Sequence, residues 1–371
     1  MLHKKDSKGC EQMKKIITLI ITIISLCCIS SISFAKTKIE IPDYVRVKLN
    51  DGTIEKIDLD EYLYSVVQSE MGLYYKSTDM KSAAQVPLEA LKAQAVASRS
   101  YVLYNIINSS SNSDFDVTSN TSSQVYKQNL NINSLVKQAV DETSGQVITY
   151  DGEVACAYFF STSGGQTESS ENVWYAALPY LRGVEDEYEI EVENCSTWTA
   201  RFTVAEIEAK FPEIGDFEDI KIVEKSENGR TIELKIYGSD ANKILLKNGI
   251  RTSLGASKVR SQWFKVKAGD DEIVFTGKGY GHGVGMSQNG AIGMALEGFT
   301  YDEILEWYYT DIDIYGFDED NKKSTKDDDK AKNKDDDEED NKEEEEVVEE
   351  PKPMLEKLAT FCTTNWLEKL I

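Results

Sequence analysis

The sequence predicts an α+β fold, with one large globular body of mostly antiparallel hairpins and several helices. Two observations predict it. Short runs of alternating apolar residues flank Asp-Gly or Asn-Gly dipeptides, which is the pattern of β-hairpins. Helix-forming stretches with capping residues at their starts lie between these hairpins. Because strands and helices do not alternate regularly, a parallel sheet of βαβ units is not predicted.

Three hairpins are predicted from their turns. The runs VRVKLN and TIEKIDL flank the Asp-Gly dipeptide at 51–52, and QVITY and EVACAYFF flank a second one at 151–152. The runs IKIVEK and TIELKIY flank the Asn-Gly dipeptide at 228–229. Both dipeptides accept the positive φ angles that tight hairpin turns require.

The helices are predicted from their starts. Asp58 with Glu61 fits a capping box for a helix through Glu70, and Pro87 begins a long alanine-rich helix. Further helix starts are predicted at Thr203, Ser287 and Thr300.

Four segments are predicted along the 371 residues. Residues 1–36 form a leader, residues 37–317 the globular body and residues 318–350 an acidic tail. Residues 351–371 form a terminal segment, which is either a short amphipathic helix or a frayed end.

The leader predicts export. It carries two lysines, then an apolar run from Ile16 to Phe34, then a small-x-small site that ends at Ala35. This pattern is typical of a secretory signal, and the run is also just long enough to remain as an uncleaved membrane anchor. We therefore expect the body on the extracytoplasmic face, either secreted or anchored to the cell membrane.

The net charge of −24 is unevenly distributed. The acidic tail contains 18 acidic and 7 basic residues and shows no apolar periodicity. We expect it to stay solvated rather than to fold. The body has no basic stripe, so nucleic acid is not an expected partner.

Two cysteines, Cys156 and Cys195, lie in the predicted body. They form either a disulfide or two buried thiols, and we expect buried thiols, although the spacing does not decide. No cofactor is predicted. His282 is the only histidine of the body, which excludes a site with several histidines. A zinc site of Cys156, Cys195 and His282 stays open as an alternative.

The first predicted helix carries an acidic residue on its apolar stripe. The stripe includes Val66 and Val67, and Glu70 follows three and four residues later. Burial should raise the pKa of this carboxyl group, because it disfavours the charged form. A carboxylic acid that keeps its proton near neutrality suits acid catalysis at a glycosidic oxygen. The structural alternatives are a fraying helix end or an ion pair with Arg99.

The long helix places polar residues on neighbouring faces. Lys92 and Arg99 share one face, and Gln94 and Tyr101 lie on the adjacent face. Such faces are usually solvated, but Arg99 lies in a run of small residues that permits close approach. The loop STSGG at 161–165 adds hydroxyl groups and backbone amides at the end of a strand.

The segment GKGYGHGVGMSQNGA at 277–291 has glycine at every second position up to 285. Glycine permits positive φ angles and close backbone approach, so this segment is either a structural corner or one wall of a ligand site. The spacing matches neither GxGxxG nor the GK[ST] of a P-loop. A Ser-His pair would lack the G-x-S-x-G turn of hydrolases.

Several stretches, in order, resemble the stage II sporulation protein D family, which includes amidase enhancers. They are Glu70-Met71, LKAQAVASRSY at 91–101, STSGGQT followed by Trp174, NGIRTSLG at 248–255, GYGHGVGMSQNGA at 279–291 and YDEILEWYY. The likeness covers roughly residues 40–315. Two positions depart from the family pattern: Gly72 replaces its usual proline, and Phe160 replaces a frequent histidine. A metal site that relies on that histidine is not implied here.

The resemblance implies a lytic transglycosylase that cleaves the MurNAc–GlcNAc linkage of peptide-free peptidoglycan strands in sporulation, during engulfment, alongside a partner amidase. It implies Glu70 as the catalytic acid. Such an enzyme can work with one carboxyl group, whereas ordinary glycosidases need two. The alternative is a non-catalytic module that binds glycan and enhances a cell-wall amidase. The residues expected to bind substrate are Lys92, Gln94, Arg99, Tyr101, Ser161, Ser163, His282, Met286, Ser287 and Gln288.

Overall fold

The computed structural model describes residues 39–75, 83–109, 113–192 and 195–316. The predicted leader, acidic tail and terminal segment lie outside these residues. The chain divides into two compact units, Met1–Glu40 and Ile41–Ile371, and all elements named below belong to the second. In the part described, none of the helices combines the length and the apolar character needed to cross a bilayer.

The fold is α+β, as predicted, and the described residues form eight α-helices and sixteen strands in six small sheets. The helices are α1 (Leu59–Met71), α2 (Leu88–Asn108), α3 (Ser134–Glu142), α4 (Ser170–Val173), α5 (Val204–Lys210), α6 (Gly249–Leu254), α7 (Gln288–Leu296) and α8 (Tyr301–Tyr308). A 3₁₀ turn spans Pro212–Ile214.

The strands are short, and most pair antiparallel. They are β1 (Tyr44–Lys48), β2 (Ile54–Asp58), β3 (Tyr74–Tyr75), β4 (Ala84–Gln85), β5 (Val117–Thr118), β6 (Val147–Tyr150), β7 (Glu153–Val154), β8 (Phe159–Phe160), β9 (Thr197–Thr203), β10 (Phe217–Lys225), β11 (Thr231–Gly238), β12 (Lys243–Leu246), β13 (Phe264–Ala268), β14 (Glu272–Lys278), β15 (Met286–Ser287) and β16 (Asp313–Tyr315). The sheets have the orders β2-β1-β5, β10-β11-β12, β13-β14-β9, β16-β6-β7, β15-β8 and β3-β4. Only β1 with β5 and β8 with β15 pair parallel among the described strands.

All three predicted hairpins are confirmed. β1 pairs with β2, β6 with β7 and β10 with β11, each antiparallel. In the second turn Asp151 and Gly152 both have positive φ, 52° and 80°. This is the backbone conformation that a two-residue turn imposes, and it explains why the dipeptide predicted the turn.

The predicted helix starts are confirmed as well. Asp58 caps α1, because its carboxylate accepts hydrogen bonds from the backbone N–H groups of Asp60 and Glu61. Thr203 and Glu206 form a reciprocal capping box at α5. Ser287 caps α7 by accepting a hydrogen bond from the N–H of Gly290.

Helix α2 lies between two of the three hydrophobic clusters. The first cluster packs α1, α2 and α3 against β1, and the second packs α2 against α7, α8 and β6. The third cluster packs the sheet β13-β14-β9 against the sheet β10-β11-β12, together with α5 and α6. Because α2 is covered on several sides, its polar residues lie in the interior, where they need hydrogen-bond partners. The alternative of a solvated polar face therefore does not hold for Gln94, Arg99 and Tyr101, which are buried.

Candidate active site

A cavity of about 560 Å³ opens between α1, α2, the loop after β5, β8, α6 and the glycine-rich segment. This volume lies in the usual range for a small-ligand site. The lining residues are Glu70, Tyr101, Thr121, Ser122, Ser123, Tyr158, Phe159, Phe160, Ser161, Trp174, Asn248, Arg251, Thr252, Ala256, Tyr280, Gly281, His282 and Gln288. Among the residues that the structure describes, Glu70 is the single acidic residue of this lining, and Arg251 is its single arginine or lysine.

Glu70 lies in the last turn of α1, with 8% of its surface exposed. Its Oε1 atom accepts a hydrogen bond of 2.6 Å from the backbone N–H of Val125, in the loop that forms the facing wall. The side chain is therefore fixed at the cavity lining by a backbone donor. The predicted burial of Glu70 is confirmed.

Gly72 ends α1 in a conformation that proline cannot adopt. Its φ is 72°, whereas proline is restricted to about −65°. A Cβ atom at this position would have nothing within 4 Å, so the backbone angle rather than space favours glycine. The departure from the family's usual proline is thus accompanied by a distinct backbone at the end of the helix that carries Glu70.

His282 is half-buried among aromatic rings. The ring centroids of Tyr158, Phe160 and Trp174 lie 5.9, 5.4 and 5.1 Å from the imidazole. Nδ1 accepts a hydrogen bond of 3.1 Å from the N–H of Val284, so this nitrogen carries no proton. The contacts hold the ring in one orientation against the cavity lining.

His282 is neutral over the physiological range. Burial lowers its pKa to about 3, and the charges of Arg251 and Arg230 add to this effect. The imidazole therefore cannot donate a proton as an imidazolium near neutral pH. The contacts of His282 with three aromatic rings favour a structural role, in which the imidazole supports the glycine-rich side of the cavity.

The glycines beside His282 are required by contacts within the protein. Gly281 has a φ of 119°, and a Cβ atom there would lie 2.7 Å from the Cβ of Phe160. Gly283 has a φ of 88°, and a Cβ atom would lie 2.5 Å from the guanidinium carbon of Arg230. The glycine-rich segment is thus a structural corner, and part of it also lines the cavity. Both interpretations of the sequence, a corner and one side of a ligand site, therefore fit the structure.

The structure brings five of the predicted site residues to the cavity and leaves six elsewhere. Glu70, Tyr101, Ser161, His282 and Gln288 line it. Lys92, Gln94, Arg99, Ser163, Met286 and Ser287 do not.

Arg99 caps a helix instead of facing the cavity. It is 1% exposed, and its guanidinium donates hydrogen bonds to the carbonyl groups of Val140, Thr143 and Gln146 at 3.2, 2.8 and 3.1 Å. These carbonyls lie at and beyond the end of α3, where a helix leaves acceptors without partners. The guanidinium therefore bonds to carbonyls rather than to Glu70.

Lys92 and Gln94 also make structural contacts. Lys92 forms ion pairs with Glu89 at 3.0 Å and with Glu142 at 2.8 Å. Gln94 lies behind the lining, where its carbonyl accepts a hydrogen bond of 3.2 Å from the amide of Gln288. Gln94 thus positions a residue that does face the cavity.

The remaining three predicted residues are buried behind the cavity lining. Met286 is fully buried in the second cluster. Ser163 and Ser287 are fully buried, and both donate hydrogen bonds to the carboxylate of Glu189, Ser163 through its backbone N–H. Gly164 adds a third donor at 2.9 Å. Glu189 therefore fastens the STSGG loop to the start of α7.

Two buried carboxyl groups behind the cavity lining, those of Glu189 and Asp186, have raised pKa values. Burial and the nearby charge of Asp186 raise the pKa of Glu189 to about 7. Burial also raises the pKa of Asp186, which accepts a hydrogen bond of 2.6 Å from the hydroxyl of Tyr308. The sequence prediction missed this pair, because no local pattern links residues 186 and 189 to the loops that they hold.

The prediction also missed Arg251 and Asn248 as lining residues. Both belong to the NGIRTSLG stretch, which was noted for its resemblance only, so the signal was present in the motif. Cys156 and Cys195 are buried thiols, as expected. Within the residues that the structure describes, no three His, Cys, Asp or Glu side chains cluster closely enough to hold a metal ion.

Comparisons with known proteins agree with the motifs. The family model Stage II sporulation protein matches residues 49–150, and a domain of unknown function (DUF8618) matches residues 184–285. The chain is 35% identical over 278 residues to an uncharacterized protein of Brachyspira hyodysenteriae, covering 73% of this chain and 70% of that protein. It is 33% identical over 290 residues to Stage II sporulation protein D of Bacillus subtilis, covering 73% and 77%.

A more distant relative is the Amidase enhancer of Bacillus subtilis, 28% identical over 270 residues, which cover 60% of this chain and 37% of that protein. The first two relatives are matched over more than two thirds of their length at above 30% identity. This chain belongs to the stage II sporulation protein D family.

Proposed function

We propose that this chain is a peptidoglycan lytic transglycosylase, which cleaves the MurNAc–GlcNAc linkage of peptide-free glycan strands during engulfment in sporulation. The observation that supports it best is a cavity with one carboxyl group, Glu70. Ordinary glycosidases place two carboxyl groups across the scissile bond, one of them as nucleophile or base. A reaction in which the substrate supplies its own nucleophile needs only one.

In the proposed reaction Glu70 donates its proton to the bridging oxygen, and the bond between that oxygen and C1 of MurNAc breaks. The resulting carboxylate then takes the proton of the 6-hydroxyl group of the same sugar, whose oxygen bonds to C1. The products are a 1,6-anhydro end and a free 4-hydroxyl group, and no water is consumed. Because the nucleophile belongs to the substrate, the protein mainly has to hold a reactive geometry.

The contacts of Glu70 fit this role. Oε1 accepts a hydrogen bond from the N–H of Val125, which fixes the carboxyl group at the cavity lining. The rings of Tyr158, Trp174 and Tyr280 give the cavity apolar surfaces against which sugar faces can pack. His282, which is neutral, keeps this wall in place.

The proposal includes the cellular setting. The chain acts on the extracytoplasmic face, secreted or held at the membrane by its N-terminal segment, and works with a cell-wall amidase that removes stem peptides. The names of the Bacillus relatives support the link to sporulation and to an amidase.

The test is product analysis with the full-length chain on denuded glycan strands in ¹⁸O-labelled water. Wild type should release products with 1,6-anhydro ends that contain no ¹⁸O. Glu70→Gln should lower the rate by about 10³-fold, because the proton donor is lost. Glu218→Gln is the matched control, since Glu218 is exposed and lies away from the cavity lining. Products with labelled reducing ends, or full activity of Glu70→Gln, would refute the mechanism.

A second function, a non-catalytic glycan-binding enhancer of an amidase, is favoured by the Amidase enhancer relative and by the altered residue at position 72. Under this alternative the chain binds denuded glycan, leaves no anhydro ends and raises amidase turnover equally well with Glu70→Gln. Mixing the chain with a cell-wall amidase and intact peptidoglycan, and measuring peptide release, separates the two functions.

A further inference from the structure

Arg251 is an unusual residue of the cavity lining because its charge is buried without an opposite charge. It is 8% exposed and lies in α6. Within the described residues it forms no ion pair with a carboxylate, and the neighbours that influence its pKa are Tyr280, which raises it, and another cation, Arg230, which lowers it. Buried charges are normally compensated, so a buried guanidinium that lines an open cavity is suited to bind an anion there.

Part of the guanidinium is fixed by the protein. Nε donates a hydrogen bond of 3.0 Å to the carbonyl of Arg260, and Nη1 donates one of 3.2 Å to Oδ1 of Asn248. In the part of the chain that the structure describes, Nη2 has no hydrogen-bond acceptor. Two N–H groups on Nη2 and one on Nη1 are therefore left for a ligand, which is the arrangement that binds a carboxylate through two parallel hydrogen bonds.

Arg251 keeps its charge at neutral pH. Burial lowers its pKa to about 10, which is still well above the physiological range. The other two cations once expected to meet the substrate are occupied: Arg99 by three carbonyl groups and Lys92 by two carboxylates. Arg251 thus remains as the cation that faces the cavity.

We propose that Arg251, oriented by Asn248, binds the free lactyl carboxylate of a muramic acid residue and thereby selects glycan from which stem peptides have been removed. This inference rests on the proposed function for its substrate. In intact peptidoglycan the same carboxyl group forms an amide with the stem peptide and carries no charge. An amide cannot compensate the buried guanidinium, so the strand becomes a good ligand only after an amidase has acted.

Binding measurements test this proposal without turnover. The full-length Glu70→Gln chain is titrated with a denuded GlcNAc–MurNAc tetrasaccharide and with the same tetrasaccharide whose lactyl carboxyls have been converted to methylamides. We expect the free acid to bind at least about tenfold more tightly, the usual effect of a charge-assisted hydrogen bond. Equal affinity for the two ligands would overturn the proposal.

Two further variants assign the preference to Arg251. Adding Arg251→Gln should weaken binding of the acid about tenfold and leave the methylamide unchanged. Adding Asn248→Asp should have the same effect with Arg251 still present, because the new carboxylate neutralises the guanidinium from the side of Nη1. Equal weakening of both ligands, or a preference that survives Asn248→Asp, would contradict the assignment.

Thermal unfolding of each variant controls for folding. Asn248→Asp changes no side-chain volume, so it remains informative if Arg251→Gln proves unstable. Arg201→Gln is the matched arginine control, since Arg201 is exposed and pairs with Glu272 outside the cavity. This test can fail independently of the test of the proposed function. A chain that never cleaves glycan can still show the carboxylate preference, and a chain that cleaves glycan can lack it.

Discussion

The cavity lining and the residues packed behind it, which form its structural frame, each contain a glutamate and an arginine. The residues of the two regions differ in their hydrogen bonding. The lining has Glu70 and Arg251, and the frame has Glu189 and Arg99. Glu189 accepts hydrogen bonds from three groups, and Arg99 donates to three carbonyls. Arg251, by contrast, retains donors without protein acceptors in the described part of the chain. Arg251 thus differs from Arg99 in combining unbonded N–H groups with a place on the cavity lining, and burial or residue type alone does not distinguish the two.

This comparison predicts that changes in the frame reduce stability and that changes in the lining reduce activity. The largest effect in the frame should come from Arg99→Met, which removes the hydrogen bonds that the buried guanidinium donates to three carbonyls. We expect the free energy of unfolding to fall by about 3 kcal/mol. Chemical denaturation measures it, and Arg201→Met, at an exposed arginine, should change it by less than about 0.5 kcal/mol. Unchanged stability with lost glycan binding would return Arg99 to the substrate site.

The second prediction concerns the junction of lining and frame at Gly72. Gly72→Pro cannot keep the φ of 72°, so the end of α1 must change conformation and move Glu70. We expect a loss of about 2 kcal/mol in stability and at least a tenfold loss of activity. Gly72→Ala is the control, because a Cβ atom has room there and only the backbone angles, φ 72° and ψ −176°, are strained, at roughly 1–2 kcal/mol. Full activity of the proline variant would show that Glu70 does not depend on this backbone.

The third prediction concerns the pH dependence of the frame. The pKa of Glu189 is raised to about 7 in the folded protein, so the folded state holds this proton more tightly than the unfolded state. The resulting stability is complete below about pH 4.5 and is lost as the pH rises through about 7. Wild type should therefore lose up to about 1 kcal/mol per pH unit across this window, and Glu189→Gln should lose less.

The melting temperature at several pH values checks this prediction. Asp186, Tyr308, Arg230 and Lys278 also influence Glu189 or respond to its charge, so some slope should remain in the variant. Glu218→Gln should behave like wild type. Parallel curves for wild type and Glu189→Gln would show that Glu189 titrates normally.

The sequence was most informative where the determining interactions are local. The predicted hairpin turns and helix starts follow from the chemistry of two to four consecutive residues, and the structure confirms them, whereas the cap of α3 at Asn133 and the hairpin of β13 and β14 were not predicted. Glu70 was found because the helical period placed it on the apolar stripe of α1. The roles of Arg99 and Lys92 were not predictable in this way, because α3 and its carbonyl groups cover that face of α2. Arg251 and Glu189 depend on segments distant in sequence, which only the folded chain brings together.

Glu70 and Arg251 lie in stretches of the chain that match two different family models. This has a consequence for how such proteins diversify. Glu70 belongs to the stretch matched by the sporulation model, whereas Arg251 and His282 belong to the stretch matched by the domain of unknown function. Under the proposed function, a chain shortened after the first stretch would retain Glu70 but lose Arg251 and His282 from the cavity lining. Exchange of the second stretch between relatives would then change the ligand-binding residues while the proposed acid stays in place.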